Sequence, residues 1–410
     1  LSFSRFVSAG EILTWDDCLK QAARNNPDLI SAKENVSQAK ATQDITASGL
    51  LPQLTGSVAA TGKKTRTGGQ NATTDTYSYG GAVSQLLFDG FKTFYNRDAA
   101  LLNVLAAQHS YRFSSAQTRL NLRTAFVNLL KAQEKIRVTD EIIKIRKDET
   151  DLIALRYDSG LEHKGAFLNA QASLAKAEFD SAQAKRDLDV ARRQLIQQMG
   201  ATRFVPWQAQ GDFSVKEDMQ GQPDFSLLAD NHPSFKQKEA AKKSAEFGVK
   251  AATANFFPQV TAQAGATKTG DGFLPHDQAL TLGVTVSVPI FEGGLRQAQK
   301  RQAQSVLRQA QADEDSQHNA LFYSLPQAWK GLQDAVGNVM VKQKILEAAQ
   351  ERADIAQAQY EAGFIAYDSW TIIQDNLVQA KGDYLDAQAN ALAAEAQWVY
   401  AKGETIEYAQ

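Results

Sequence analysis

The chain has one cysteine, three methionines and five histidines in 410 residues. A lone Cys18 excludes an intrachain disulfide. Its setting, Trp15-Asp16-Asp17-Cys18-Leu19-Lys20, reads as a helix start with Thr14 or Asp16 as cap and the thiol as a small buried hydrophobe. No apolar run reaches about 18 residues, so no helix long enough to span a bilayer is available. The formal charge of −2 offers nothing to attract nucleic acid. His109, His163, His232, His276 and His318 form no i,i+4 pair and have no cysteine partner; they read as surface residues, not as a metal site. Gly270-Asp271-Gly272 lacks the Lys and Ser/Thr of a phosphate loop. No nucleophile motif is present, and Asp313-Glu314-Asp315 reads as a solvated helix face. Catalytic, metal and cofactor residues are therefore assigned as none, and the chain is read as not an enzyme.

What is present is a duplication. Pro27 and Pro52 are 25 residues apart, as are Pro233 and Pro258. Phe88-Asp89-Gly90 precedes Tyr157-Asp158-Ser159-Gly160 by 69 residues, as Phe291-Glu292-Gly293 precedes Tyr360-Glu361-Ala362-Gly363. The copies are offset by 206 residues at the prolines and 203 at the later landmarks. A fixed register over such a span marks one unit used twice.

Each unit opens with helical spacing, interrupted at Asn25-Asn26-Pro27 in the first copy. The period then changes to two. In Leu280–Val288 the even positions are branched and apolar, while the odd ones are Thr, Gly, Thr and Ser. Gln259–Thr267 alternates likewise. Leu54, Val58 and Ala60 oppose Thr55, Ser57, Ala59 and Thr61, and Tyr77, Tyr79 and Val83 oppose Ser78, Gly80 and Ala82, allowing one slip. Polar loops around Gly68–Asn71 and Gly270–Pro275 separate the strands. Helical pattern then resumes, with neither proline nor glycine between Phe91 and Tyr157. Such a helix is roughly 100 Å long. Ser159-Gly160 and Ala362-Gly363 reverse the chain, and a second helix returns. Pro326 is expected to kink the second long helix.

The expected layout has a signal-peptide remnant at 1–9, whose Val7-Ser8-Ala9 resembles a cleavage site. The first repeat covers 10–199, with strands at about 52–63 and 76–88 and helices at about 90–158 and 166–199. A connector covers 200–224. The second repeat covers 225–410, with strands at about 258–268 and 279–289 and helices at about 291–361 and 369–402.

Strands of about ten residues with one apolar and one small polar face suit a membrane barrel, but four cannot close one. Either the sheet is soluble or several copies share a barrel. Long helices leaving the strands on one side favour sharing: two copies supply eight strands and three supply twelve. Phe88, Phe91, Phe94, Tyr95, Phe256, Phe257 and Phe273, near strand ends, form either a membrane-interface girdle or local packing at the junctions.

These residues resemble the TolC-like outer-membrane factors, the outer membrane efflux proteins. The resemblance covers nearly the whole mature chain. It rests on Leu13-Thr14-Trp15-Asp16-Asp17-Cys18-Leu19, Asn25-Asn26-Pro27-Asp28-Leu29, Leu51-Pro52-Gln53-Leu54, Phe257-Pro258-Gln259-Val260, Phe88-Asp89-Gly90, Pro289-Ile290-Phe291-Glu292-Gly293-Gly294 and the two tip sequences. It implies a mainly helical protein with a membrane β-barrel contribution: a homotrimer with a twelve-stranded β-barrel and a twelve-helix α-barrel. It implies an outer-membrane channel of a tripartite efflux pump or type I secretion system, reaching into the periplasm, with a periplasmic adaptor (membrane fusion) protein, an inner-membrane transporter and outer-membrane lipid as partners. By the same resemblance Pro52, Pro258, Gly90 and Gly293 are helix–strand junctions. Arg156, Ser159, Gly160, Leu161, Ala362, Gly363 and Phe364 are the adaptor-binding tips. The Arg and paired Asp that gate some members are not matched; Tyr360 and Asp368 stand as gate candidates. The alternative reading is a periplasmic adaptor-type coiled-coil protein that never spans the membrane.

Overall fold

The computed structural model describes residues 12–214 and 221–407. The signal-remnant reading of 1–9 lies outside them. In chain order the elements are β1 (Ile12–Leu13), α1 (Trp15–Asn25), α2 (Pro27–Ser48), β2 (Gln53–Thr67), β3 (Gln70–Phe88), α3 (Lys92–Asp158), α4 (Lys164–Gln198), β4 (Gln208–Ala209), α5 (Phe225–Asn231), α6 (Pro233–Ala254), β5 (Gln259–Gly270), β6 (Asp277–Ser287), α7 (Leu295–Glu361) and α8 (Tyr367–Ala401). The duplication shows in the lengths: α2 and α6 have 22 residues each, α3 and α7 have 67, and α4 and α8 have 35. α7 runs through Pro326 without ending. Contacts divide the chain into one unit of Leu1–Lys33, Tyr111–Pro233 and Asn319–Gln410 and another of Glu34–Ser110 and Ser234–His318.

The second unit carries one antiparallel sheet in the order β2-β3-β5-β6. The first hairpin is longer than the alternation suggested. Thr67 pairs with Gln70 across Gly68-Gly69, both at positive φ, so the expected loop is a two-residue turn. Backbone pairing continues through Lys63–Arg66 and Asn71–Thr76, where apolar alternation has ceased, because ladder hydrogen bonds need no apolar face. The β3–β5 register is unbroken from Tyr77 to Leu86, and its one irregularity falls between Leu86 and Phe88. Apolar residues of this sheet stand uncovered: Leu282 is 88% exposed and Leu54 78%. β2 and β6 are its open edges.

The same unit holds the junctions. Pro52 and Pro258 each stand immediately before a strand, where proline forces its predecessor out of helical geometry. At the strand exits Gly90 and Phe91 have φ of 69° and 67°, and their counterparts Gly293 and Gly294 have 59° and 84°. A Cβ on Gly90 would lie 2.7 Å from Phe257 Cβ, so only glycine fits there. Asp89 accepts from Thr93 N at 2.9 Å and opens α3. Phe88, Phe91 and Phe94 form a ring series at 5.7 and 6.1 Å. Asp313 and Glu314 are not simply solvated: they pair with Lys238 and Lys242 of α6, at 3.5 and 2.6 Å.

The first unit is helical and has a large core, a second toward the ends of α3 and α7 and a smaller cluster of Val127, Ala389 and Leu392. The large core gathers Cys18, Leu19, Leu122, Phe126, Leu129, Met199 and Trp207. Thr14 caps α1 in a capping box with Asp17. Burial pushes the Cys18 thiol up to about 12, keeping it an inert hydrophobe. The connector is docked at Gln208-Ala209: β1 pairs in parallel with β4, and Ala209 exchanges two hydrogen bonds with the Gln133 side chain, at 2.8 and 2.9 Å. The segment after α8 is pinned as well, since Glu407 accepts from Tyr111 and Ser115 at 2.6 and 2.7 Å.

Two equivalent joints lie in this unit. Asn26, before Pro27, is buried and accepts from Asp28 N and Leu29 N while donating to Gln198 O at 2.8 Å. His232, before Pro233, is also buried, contrary to its reading as a surface residue, and lies edge-on to Phe113 at 6.3 Å. Burial pulls its imidazole down to about 4.

Candidate functional site at the hairpin tips

Both tips belong to the helical unit, and both close by one device. After α3, Leu161 N donates to Arg156 O at 2.8 Å and Gly160 N to Tyr157 O at 3.0 Å. After α7, Phe364 N donates to Gln359 O at 2.8 Å and Gly363 N to Tyr360 O at 3.0 Å. This pairing satisfies the last helical carbonyls and requires a left-handed residue, here Gly160 and Gly363 at φ 72° and 79°. Each tip also repeats an aromatic stack. Tyr157 lies parallel to Phe167 at 5.6 Å, and Tyr360 lies parallel to Trp370 at 4.5 Å.

The surroundings of the two stacks differ. Tyr360 belongs to the second core, with Ile153, Ala166, Ala170, Ala356, Tyr367 and Trp370. Its hydroxyl donates to Glu162 Oε2 at 2.8 Å. Burial and that acceptor both hold the phenol above its ordinary range. Arg156 sits over the Tyr360 ring at 4.6 Å and donates to Tyr360 O at 3.2 Å. It therefore caps a terminal carbonyl of α7 and ties the first hairpin to the second. Asn169 donates to Tyr367 Oη at 3.1 Å, a second tie.

The N-terminal caps of the returning helices also differ. His163 accepts from Ala166 N at 3.1 Å and caps α4, whereas Ala366 opens α8 without a side-chain cap. Asp368 is exposed in that first turn, where a carboxylate suits the helix dipole. Ser159, Gly160, Leu161, Ala362, Gly363 and Phe364 are all exposed, Phe364 at 82%. The sequence-predicted tip residues thus divide into an exposed cap of six and an inward Arg156, while Tyr360 lies in the core and Asp368 outside it.

Above the tip core α3 and α8 are joined by charge. Arg146 contacts both Glu149 and Asp375. Burial pushes the Glu149 carboxyl up, and Arg146 opposes the shift. Further along come Glu141–Lys381, Lys131–Asp386 and Arg123–Glu395 at 3.1, 2.8 and 3.5 Å, and Arg119 reaches Glu404, just past α8, at 3.3 Å. No periodicity within either helix marks these ties. Their partners lie far apart along the chain, and the only signal was a recurrence of opposite charges on two helices.

Open sheet edges, an uncovered apolar sheet face and twin helical hairpins with exposed apolar tips fit a channel protein. The outer membrane efflux protein family matches residues 18–201 and 225–404, and the chain belongs to that family. It is 25% identical to the outer membrane efflux protein BepC of Brucella suis biovar 1 (strain 1330), over 93% of this chain and 85% of the relative. It is 22% identical to the outer membrane protein TolC of Escherichia coli (strain K12), over 96% and 84%. The solved Campylobacter jejuni CmeC outer membrane channel superposes with a TM-score of 0.84 at 17% identity, covering 96% of this chain and 88% of that one, which establishes the shared fold. The chain is thus an outer-membrane channel protein of the efflux and secretion class, extending into the periplasm.

Proposed function

We propose that three copies of the chain close a twelve-stranded barrel and a twelve-helix duct, forming a passive exit gated at the hairpin tips. The observation that carries this reading is the sheet. It has two unpaired edges and exposes a row of large apolar side chains, an arrangement stable in lipid only after closure. Strand direction alternates across it, so β6 of one copy meets β2 of the next antiparallel, and closure needs no rearrangement. The resemblance to TolC-like factors supports three copies rather than two. The opposite face, with Thr55, Ser57, Thr281, Thr285 and Ser287, lines the lumen with small hydroxyls that let varied solutes pass without tight binding. Transport on this reading involves no covalent step.

The tips dock a periplasmic adaptor, which links the duct to an inner-membrane transporter. Leu161 and Phe364 are the apolar contacts, and the exposed backbone of Ser159-Gly160 and Ala362-Gly363 admits close approach. Arg156 acts from behind by holding the tips together. Tyr360 and Asp368 are the gate candidates: Tyr360 locks the second hairpin against the first, and Asp368 contributes charge at the mouth. Membrane fractionation with heat-modifiable gel mobility tests the reading. Outer-membrane location with a heat-sensitive, fast-migrating species is expected. A periplasmic soluble protein would favour the adaptor-type alternative instead.

A further inference from the structure

The apolar face of the sheet ends differently at its two ends. Register places Leu54, Val83, Ala264 and Leu282 in one row across the four strands. Toward the junctions the same face carries Val260, paired with Phe88 and Val286, and no charge. Toward the hairpin loops it turns basic. Val58 pairs with Tyr79, Tyr79 with Lys268, and Lys268 with Gln278. Alternation puts Lys64 and Arg66 on the same side as Leu54 and Val58, while Lys63 falls on the hydroxyl side. Asp75, paired with Gly62, places a carboxylate on the same side, and Asp271 follows in the exposed loop; Lys64, Arg66 and Lys268 are all exposed.

A second observation marks the same end. The loop after β5 folds over this face: Phe273 lies edge-on to Tyr77 and Tyr79 at 6.2 and 6.1 Å, and the Tyr79 hydroxyl donates to Phe273 O at 2.8 Å. Leu274 beside it is 84% exposed. Tyrosine and cations just beyond an apolar band suit the depth at which acyl chains meet headgroups.

We propose that Lys64, Arg66 and Lys268 hold the phosphate groups of anionic membrane lipid around the loop end of the barrel. This rests on the barrel reading above. Long side chains run their stems over acyl chains and lift their charge to the headgroup. Arg66 supplies a fork that matches two phosphate oxygens, and the lysines supply point charges. Lys63 is the internal control, since it is adjacent in sequence but on the lumen side.

The test is native mass spectrometry of the detergent-solubilised particle, incubated with equal phosphatidylglycerol and phosphatidylcholine. Wild type is expected to retain the anionic lipid with a preference of about tenfold. K64Q/R66Q/K268Q is expected to lose that preference while keeping the same particle mass, and K63Q to keep it. Equal retention by the triple variant, equal loss in K63Q, or no preference in wild type overturns the proposal. A wild type that forms the membrane particle but shows no preference removes this inference alone. One that is a soluble monomer removes the barrel reading with it.

Discussion

At the first tip Tyr157 stacks on Phe167 with 36% of its surface exposed; at the second, Tyr360 stacks on Trp370 with 1% exposed. The backbone hydrogen bonds, the glycines and the parallel orientation of the rings are shared. What differs is that the second stack has acquired the Arg156 guanidinium, the Glu162 carboxylate and Tyr367 around it. The joints repeat the contrast. Asn26 is buried with three hydrogen bonds and no titration, and His232 is buried with an imidazole that burial keeps neutral. The two copies share a backbone and have specialised through side chains. One offers a plain turn, and the other adds polar partners around a buried tyrosine.

Truncating the equivalent tyrosines sharpens this comparison most. Tyr360→Ala removes a fully buried ring, the phenol that donates to Glu162 and the ring under Arg156; it is expected to cost about 3–5 kcal/mol of local stability. Tyr157→Ala should cost about 1 kcal/mol, because its ring is already partly solvated. Hydrogen exchange of the α7 and α3 ends reads both, and equal effects would break the distinction between the tips.

Acid should separate the joints next. The unfolded chain protonates His232 below its ordinary value of 6.5, and the folded chain does not until about 4. Stability from this group is therefore complete above pH 6.5 and falls as pH drops toward 4, by about 3 kcal/mol in all. Asn26 adds no such slope. Unfolding followed from pH 7 to 4 should show the loss, and His232→Asn should flatten it.

A smaller, symmetric effect of the backbone comes after these. Gly160→Ala and Gly363→Ala each place a side chain at positive φ in open space, so each should cost about 1–2 kcal/mol through the backbone alone. Gly363→Ala should in addition weaken adaptor capture, because it moves Phe364. Capture unchanged by Gly363→Ala would argue that the second tip is not a docking surface.

Local signals carried much of this architecture. The alternation from Leu280 to Val288 is a strand pattern wherever it is met, and Gly160 and Gly363 stand where helices must reverse. What was hidden is long-range. The β1–β4 pairing joins Leu13 to Ala209, and the Arg156–Tyr360 contact spans 204 residues. Neither leaves a periodicity in its own segment. The first hairpin was underestimated for a related reason: Lys63–Thr76 lacks an apolar face, and pairing there is set by the partner strand and the Gly68-Gly69 turn. His232 looked like a surface residue because polarity alone does not show that a helix end and Phe113 enclose it.

The central claim, that this sheet is one third of a closed barrel, is tested most directly by the mass of the detergent-solubilised particle. Three chains of 44.8 kDa in a single species are predicted. A particle containing one chain, with the β2 and β6 edges open, would contradict the account.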